Sequence, residues 1–389
     1  MIYLNNAATS YPKPGVVLES AALAAAAIPG EPRRSSASTR AGESQDGSPD
    51  DCRSVIADFF GAAGPDEVLL TQGATVSLNM VLSGLGYKER RRVVTSAAEH
   101  NAVLRPLYAL ERAGDIDLTI VPCDAHGFIA PETLAASVDA SVRAIVIQEA
   151  SNVTGAVQDL AAASDIARHN GCVLVVDGAK GSGMTGTDLR QLAVDAYVFA
   201  GHKGLFGLEG SGGFILRRDL ELEPLIRGGT GLDSANREQP QCRPDLYEAG
   251  TQNRTGTAAL AAGVRYVAGL GRSAVRERLE WFLEYTSESL SKLPHIRTVW
   301  KHGCHGESSG LRLPVFSFAF DGSTPTETAY CLEQSFGIRV RHGLHCAPLI
   351  HQYIGFAPEG TVRASPSILT PHDHWALLFE ALAAMEPAG

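Results

Sequence analysis

From about residue 67 to 217, short apolar runs alternate with stretches of helical period. In "EVLLT", "RVVTS", "LTIVP", "RAIVIQE", "CVLVVD", "DAYVFA" and "GGFILR" the apolar residues mostly follow one another instead of alternating. That texture suits strands covered on both faces. Between several of them, "TVSLNMVLSGL" and "LAAASDIARHN" carry helical patterns. Repetition of strand, helix and strand predicts a mostly parallel sheet with right-handed crossovers. Ligands of such sheets bind beyond the carboxyl ends of the strands. Two polar stretches rich in Ser, Gly and Pro, 31–51 and 227–253, interrupt the rhythm and predict long loops. After about 256 the texture changes. Two helical stretches lead to "VFSFAF", a helix from about 325, "IRVRHG", "TVRAS" and a final helix from about 371. The expected architecture is α/β. A large domain over 15–255 holds a mostly parallel seven-stranded sheet, and a smaller α+β domain covers 256–389. The segment 1–14 is expected to pack near the small domain.

The totals narrow the function. With 389 residues, 44% hydrophobic and 20% charged, the chain reads as an ordinary globular protein with a large core. A net charge of −10 argues against a nucleic-acid or anionic-membrane surface, since both need a basic face. The start, "MIYLNNAATSYPKP", has no basic region followed by an apolar run, so no signal peptide is expected. No apolar run reaches the roughly 18 residues of a membrane span. Seven scattered cysteines, an odd number, read as reduced thiols in a cytoplasmic protein.

Four strand ends carry polar groups. "VLVVDGAK" ends in Asp177, and "IVIQEASNVTG" runs into Asn152. "VVTSAAEHN" runs into Glu99 and His100, and "DAYVFAGHK" into His202 and Lys203. In a parallel sheet these groups share one rim. An aspartate after four apolar residues is costly to bury unpaired, and favourable opposite a protonated ring nitrogen. A lysine there can form a Schiff base if its pKa falls enough to give a neutral amine. "TQGATVSLNM" adds a Gly-containing turn that opens a helix, a ready anion site. Each feature alone has a bland reading, as a helix cap, a helix start or a solvated turn lysine. In this order they match the handles of pyridoxal 5′-phosphate, for which a protein supplies lysine, pyridinium partner and orientation.

The order of motifs resembles the class V branch of fold-type I pyridoxal-phosphate enzymes, and within it the cysteine desulfurases and selenocysteine lyases. The resemblance runs through "YLNNAATSYPKP", "TQGATVSLNMV", "EHNAVL", "SNVTG", "VDGAK", "GHKGLFG", "YEAGTQN", "RHGLHCAP" and "TVRAS". It implies that Lys203 carries the cofactor, Asp177 pairs with the pyridinium nitrogen and His100 stacks on the ring and helps proton transfer. Asn152 would bond near the ring hydroxyl. Gly73, Ala74, Thr75 and His202 would hold the phosphate. Thr251 would reach the phosphate of a neighbouring subunit, which implies a homodimer. Arg363, with Asn6 and Arg341, would bind the substrate, Arg363 gripping its carboxylate. Three positions depart from the family pattern. Lys180 stands where Gln is usual, Ala200 where Ser or Thr is usual, and "PSILTPHD" replaces an Asn-containing run. A second amine at 180 would favour an anionic ring oxygen or shift the pKa of the Schiff base.

"RHGLHCAPLIH" (341–351) carries the second chemistry. A persulfide-forming cysteine belongs on a mobile, partly exposed segment near positive charge, and Arg341, His342 and His345 surround Cys346. The resemblance places the persulfide cysteine at Cys346 as well. A small buried cysteine at a domain seam is the plain alternative. Cys52, Cys123, Cys172, Cys242, Cys304 and Cys331 have no comparable setting and read as structural. A metal is the rival reading, since His342, His345, Cys346 and His351 cluster and "KHGCHG" adds His302, Cys304 and His305. Their spacing matches no standard zinc pattern, so no metal is expected. The expected reaction converts L-cysteine to L-alanine, with the sulfur passing through Cys346 to an acceptor protein or a reductant. Selenocysteine could be used in the same way. The alternatives are a lyase, aminotransferase or epimerase on the same cofactor, or a non-catalytic scaffold.

Overall fold

A computed structural model describes residues 1–27, 47–232, 234–300 and 311–385. Residues 31–46 of the first polar stretch and the His302, Cys304 and His305 group lie outside these ranges. A short strand, β1 (Ile2–Tyr3), leads to helices α1 (Gly15–Ala26) and α2 (Pro49–Phe60). Next come β2 (Val68–Thr71), α3 (Ala74–Gly84), β3 (Arg92–Ser96), α4 (Asn101–Ala113) and β4 (Asp117–Val121). They are followed by α5 (Pro131–Ala136), β5 (Val142–Gln148), α6 (Leu160–Asn170), β6 (Val173–Asp177), β7 (Ala196–Ala200) and β8 (Gly212–Leu216). Beyond the irregular stretch at 227–253 stand α7 (Arg254–Leu270), α8 (Arg272–Leu290), β9 (Ile296–Thr298) and β10 (Phe316–Phe320). The chain continues through α9 (Pro325–Phe336), β11 (Ile338–Arg339), β12 (Arg341–Gly343), α10 (Ile350–Tyr353), β13 (Thr361–Ala364) and α11 (His372–Ala384).

All seven expected strands form one sheet, in the order β2-β8-β7-β6-β5-β3-β4. Strands β7, β6, β5, β3 and β4 run parallel, while β8 is antiparallel to both its neighbours. The unbroken apolar runs have the expected cause: β6, β7 and β8 are buried along their whole length. Helices α3 and α4 cover one face with Leu78, Val81, Val103 and Leu107. On the other face, Ile56, Phe60 and Ala163 pack against Tyr197 and Phe199.

The smaller layer is a four-stranded antiparallel sheet, β12-β13-β10-β9. The change of texture at 256 falls inside a helix. It lies within α7, whose small residues Ala258, Ala259 and Ala261 are buried where that helix packs on α1 and α2. Strand β1 pairs with β11, and Asn5 bridges to Ser365 just after β13.

Candidate active site

The register of the parallel strands builds the site. Gln148 at the end of β5 pairs with Asp177, which in turn pairs with Val198 of β7. The loops that carry Asn152, Lys180 and Lys203 therefore leave one rim together. A single cavity there is lined by nine of the expected residues: Gly73, Ala74, Thr75, His100, Asn152, Asp177, Lys180, His202 and Lys203. Helix α3 points its start at this cavity. Its N-cap, Gly73, has φ +144°, and no side chain caps the free N–H groups. A Cβ at Gly73 would project into open space, which leaves a cradle for a ligand. Gly212 lets β8 pass close by, since a Cβ there would sit 2.7 Å from the Gly73 Cα.

The electrostatics follow from burial. Asp177 is 5% exposed, and burial pushes its carboxyl up, against the Ala179 N–H at 3.0 Å and the charge of Lys203. Burial likewise pulls the Lys203 amine below the usual lysine range, with Asp177 pulling back and Arg363 and Arg341 adding to the drop. That shift moves Lys203 toward the neutral amine that imine chemistry requires. His100 caps α4, its Nδ1 accepting from the Ala102 N–H at 2.9 Å. That bond assigns the proton of the neutral ring to Nε2. Burial and the charge of Lys203 hold His100 down to about 4, so the ring is neutral at physiological pH. His202 is held at about 4 by burial and by Lys203 and Lys13.

Among the buried atoms that lack partners in the described residues are the His202 Nδ1 and the Asn152 Oδ1. Both residues line the cavity, so both atoms fit a bound ligand. Arg363 lies behind this wall, 1% exposed. It donates to the Asn152 carbonyl at 3.0 Å and to the Asn5 Oδ1 at 2.9 Å. Burial pulls its guanidinium down to about 9, which leaves it a cation at neutral pH.

Cys346 sits at the edge of the small layer, partly exposed. Arg341 Nη2 donates to its Sγ at 3.2 Å, and a cationic donor supports negative charge that develops on sulfur. His345 and Cys346 both have left-handed backbone, at φ +50° and +60°. Such conformations cost about 1–3 kcal/mol for residues other than glycine and persist where surroundings enforce them. Here the Asn101 N–H donates to the Cys346 carbonyl and the Asn152 amide to the His345 carbonyl, each at 2.7 Å. The expected mobile segment is thus tied to the cavity wall in this structure. The side chains of the rival metal reading make other contacts, although the His345 and His351 rings lie 5.8 Å apart. His342 is exposed against Thr326, while His345 turns to Thr361 and His351 to the Ala347 carbonyl. Among the described residues, no three His, Cys, Asp or Glu side chains gather as a metal site.

Comparison with known proteins now bears on this site. The family model described as "Aminotransferase class-V" matches residues 2–374. The chain belongs to that family. A probable cysteine desulfurase of Methanothermobacter thermautotrophicus is 30% identical over 337 residues, covering 85% of this chain and 82% of the relative. The apo structure of a cysteine desulfurase from Thermococcus onnurineus NA1 is similar with a TM-score of 0.87 at 27% identity, covering 98% of this chain and 94% of that one. The cysteine desulfurase CsdA of Escherichia coli, solved in an S-sulfonic acid form, gives 0.84 at 26% identity, with the same coverage. This class-V chain therefore has the expected fold-type I architecture, a mostly parallel seven-stranded sheet beside a smaller layer.

Two expected residues stand apart in the class-V chain. Thr251 is exposed and lines a neighbouring groove with Leu70, Met80 and Tyr247, which shares Gln72 and Val76 with the cavity. Asn6 is buried and its amide is fully engaged, donating to the Ser365 carbonyl and accepting from the Tyr11 N–H. The Ser365 Oγ, just before "PSILTPHD", adds to this clasp by accepting from the Ala7 N–H. Sequence reasoning missed a second clasp. The His202 carbonyl receives the Ser10 N–H and the side chains of Thr9, Ser10 and Lys13. Its only signal was the polar run in "AATSYPK".

Proposed function

We propose that the protein is a pyridoxal 5′-phosphate-dependent cysteine desulfurase that converts L-cysteine to L-alanine and holds the sulfur on Cys346. The observation that carries this reading is one cavity lined by both Asp177 and Lys203, with Cys346 within electrostatic reach of Lys203. The cavity fits the cofactor. Asp177 would face the ring nitrogen, Asn152 the ring substituents, and Gly73, Ala74, Thr75 and His202 the phosphate. When bound there, the cofactor supplies an electron sink that weakens bonds at the substrate Cα and Cβ.

The residues of the chain do the rest. Arg363, a buried cation without a carboxylate partner among the described residues, takes the substrate carboxylate. Lys203 accepts the α-proton and returns it. The His100 Nε2–H donates toward the same space. The Cys346 Sγ bonds to the substrate sulfur as the Cβ–S bond breaks. The electron pair stays with carbon, which takes a proton. In sum, cysteine and a protein thiol give alanine and a protein persulfide, with no external oxidant. Thr251 is assigned to the phosphate of a second subunit, so the working form is read as a homodimer. The persulfide passes to an acceptor protein or a reductant. Six described cysteines are free, in keeping with work in the reducing cytoplasm.

The test is direct. The purified protein, loaded with cofactor and given cysteine, should form alanine and gain sulfur mass on Cys346. Cys346→Ala should keep the cofactor's absorption and lose alanine formation. Full activity of Cys346→Ala would overturn the persulfide route. Pyruvate and ammonia in place of alanine would make the protein a lyase.

A further inference from the structure

Lysine is scarce in this chain. There are six, at 13, 88, 180, 203, 292 and 301, among 33 basic residues. Two of the six, Lys180 and Lys203, line one cavity. Lys203 has work assigned to it and Asp177 beside it. Lys180 has neither. It is 5% exposed, and its only hydrogen-bond partner given by the structure is the Met184 thioether at 3.6 Å, a weak acceptor. A buried amine without an acid is costly unless something else receives it. The side chain lies along the wall where an anionic ligand is expected.

We propose that Lys180 is a positioning residue for the cofactor, a second amine whose charge eases proton loss from the nitrogen that Lys203 contributes. The inference rests on the cofactor reading above. The groups facing the pair are these. Lys203 is met by Asp177, Arg363, Arg341 and Cys346, and its charge also acts on His100 and His202. Lys180 is met by Lys203 and Arg363, both positive. Of the two amines, Lys203 has the acid, so Lys180 gives up its proton first. Burial and then Lys203 pull Lys180 down to about 7. Binding of an anionic cofactor restores that proton, because an opposite charge nearby favours the charged form. The restored cation then disfavours a proton on the Lys203 nitrogen. A neutral side chain at 180 removes this push.

The experiment compares the loaded wild type with Lys180→Gln, Lys180→Met and Lys180→Arg. Each absorption spectrum is followed against pH. The band midpoint of the Gln and Met variants should rise by about one pH unit or more, the size of a like-charge effect. Lys180→Arg should stay near the wild-type midpoint, which separates charge from packing. A midpoint that moves in none of the variants, or equally in all three, overturns the role of Lys180 and leaves the cofactor reading intact. A wild type that forms no band overturns the cofactor reading and this inference with it. The cofactor-free protein gives a second readout. After reductive 13C-methylation, the Lys180 resonance should titrate near neutral pH. If it titrates only in the ordinary lysine range, about 10.4, the inference fails whatever the spectra show.

Discussion

The Arg341 to Cys346 contact has a measurable consequence at the scale of single residues. Arg341→Met removes a cationic donor from the Sγ at 3.2 Å. A charge-assisted bond is worth about 1.5–3 kcal/mol, and 1.36 kcal/mol is a factor of ten. Alkylation of Cys346 by iodoacetamide at neutral pH should slow about tenfold, with the other cysteines as internal controls. Glu99 makes a different prediction. It is fully buried, accepts from the Ser96 Oγ at 2.5 Å, and is pushed up to about 8 by burial. Its folded-state pKa lies above its unfolded value. The stability it contributes is therefore full below about 4.5 and drains as pH rises to about 8. Glu99→Gln lacks this slope. Urea midpoints should show the variant gaining on wild type across that window. Equal slopes would mean that Glu99 is ionised in the fold.

Helix α3 is where one element and the site are the same object. Its start is left uncapped by any side chain, and Gly73 holds φ +144°, a value that L side chains rarely adopt. Gly73→Ala strains that turn and puts a methyl group into the cradle. Affinity for pyridoxal phosphate should fall at least about tenfold, while far-UV circular dichroism of the cofactor-free protein stays native. The strands were the most legible part of the sequence, because burial on both faces writes an unbroken apolar run. Asp177 and Lys203 were legible for the same reason, as polar groups where such runs stop. The change of texture near 256 reflects α7, rich in Ala and Gly that serve close packing on α1 and α2. The tether of Asn6 to Ser365 joins residues 359 positions apart. No local pattern can announce such a pair, nor the αL backbone at His345 and Cys346, which tertiary bonds impose.

Across the whole molecule, the two layers meet at the chemistry. Arg363 of the small layer bonds the backbone of Asn152, and Asn152 bonds the backbone of His345. This circuit links Arg363, proposed to take the substrate carboxylate, to the segment that carries the Cys346 thiol. It also makes Asn152 a poor site for neutral change. Asn152→Ala should lower the affinity for pyridoxal phosphate and slow persulfide formation together. An effect on cofactor binding alone would show that the bond to His345 is dispensable.

The clasp on the His202 carbonyl has a practical side. Thr9, Ser10 and Lys13 grip the peptide unit that joins His202 to Lys203, so the first thirteen residues brace the turn that carries the proposed catalytic lysine. An affinity tag fused ahead of Met1, or trimming of that segment to aid crystallisation, would load or unlatch the turn that presents the reactive amine. Purification handles are better attached beyond α11, at the opposite end of the chain.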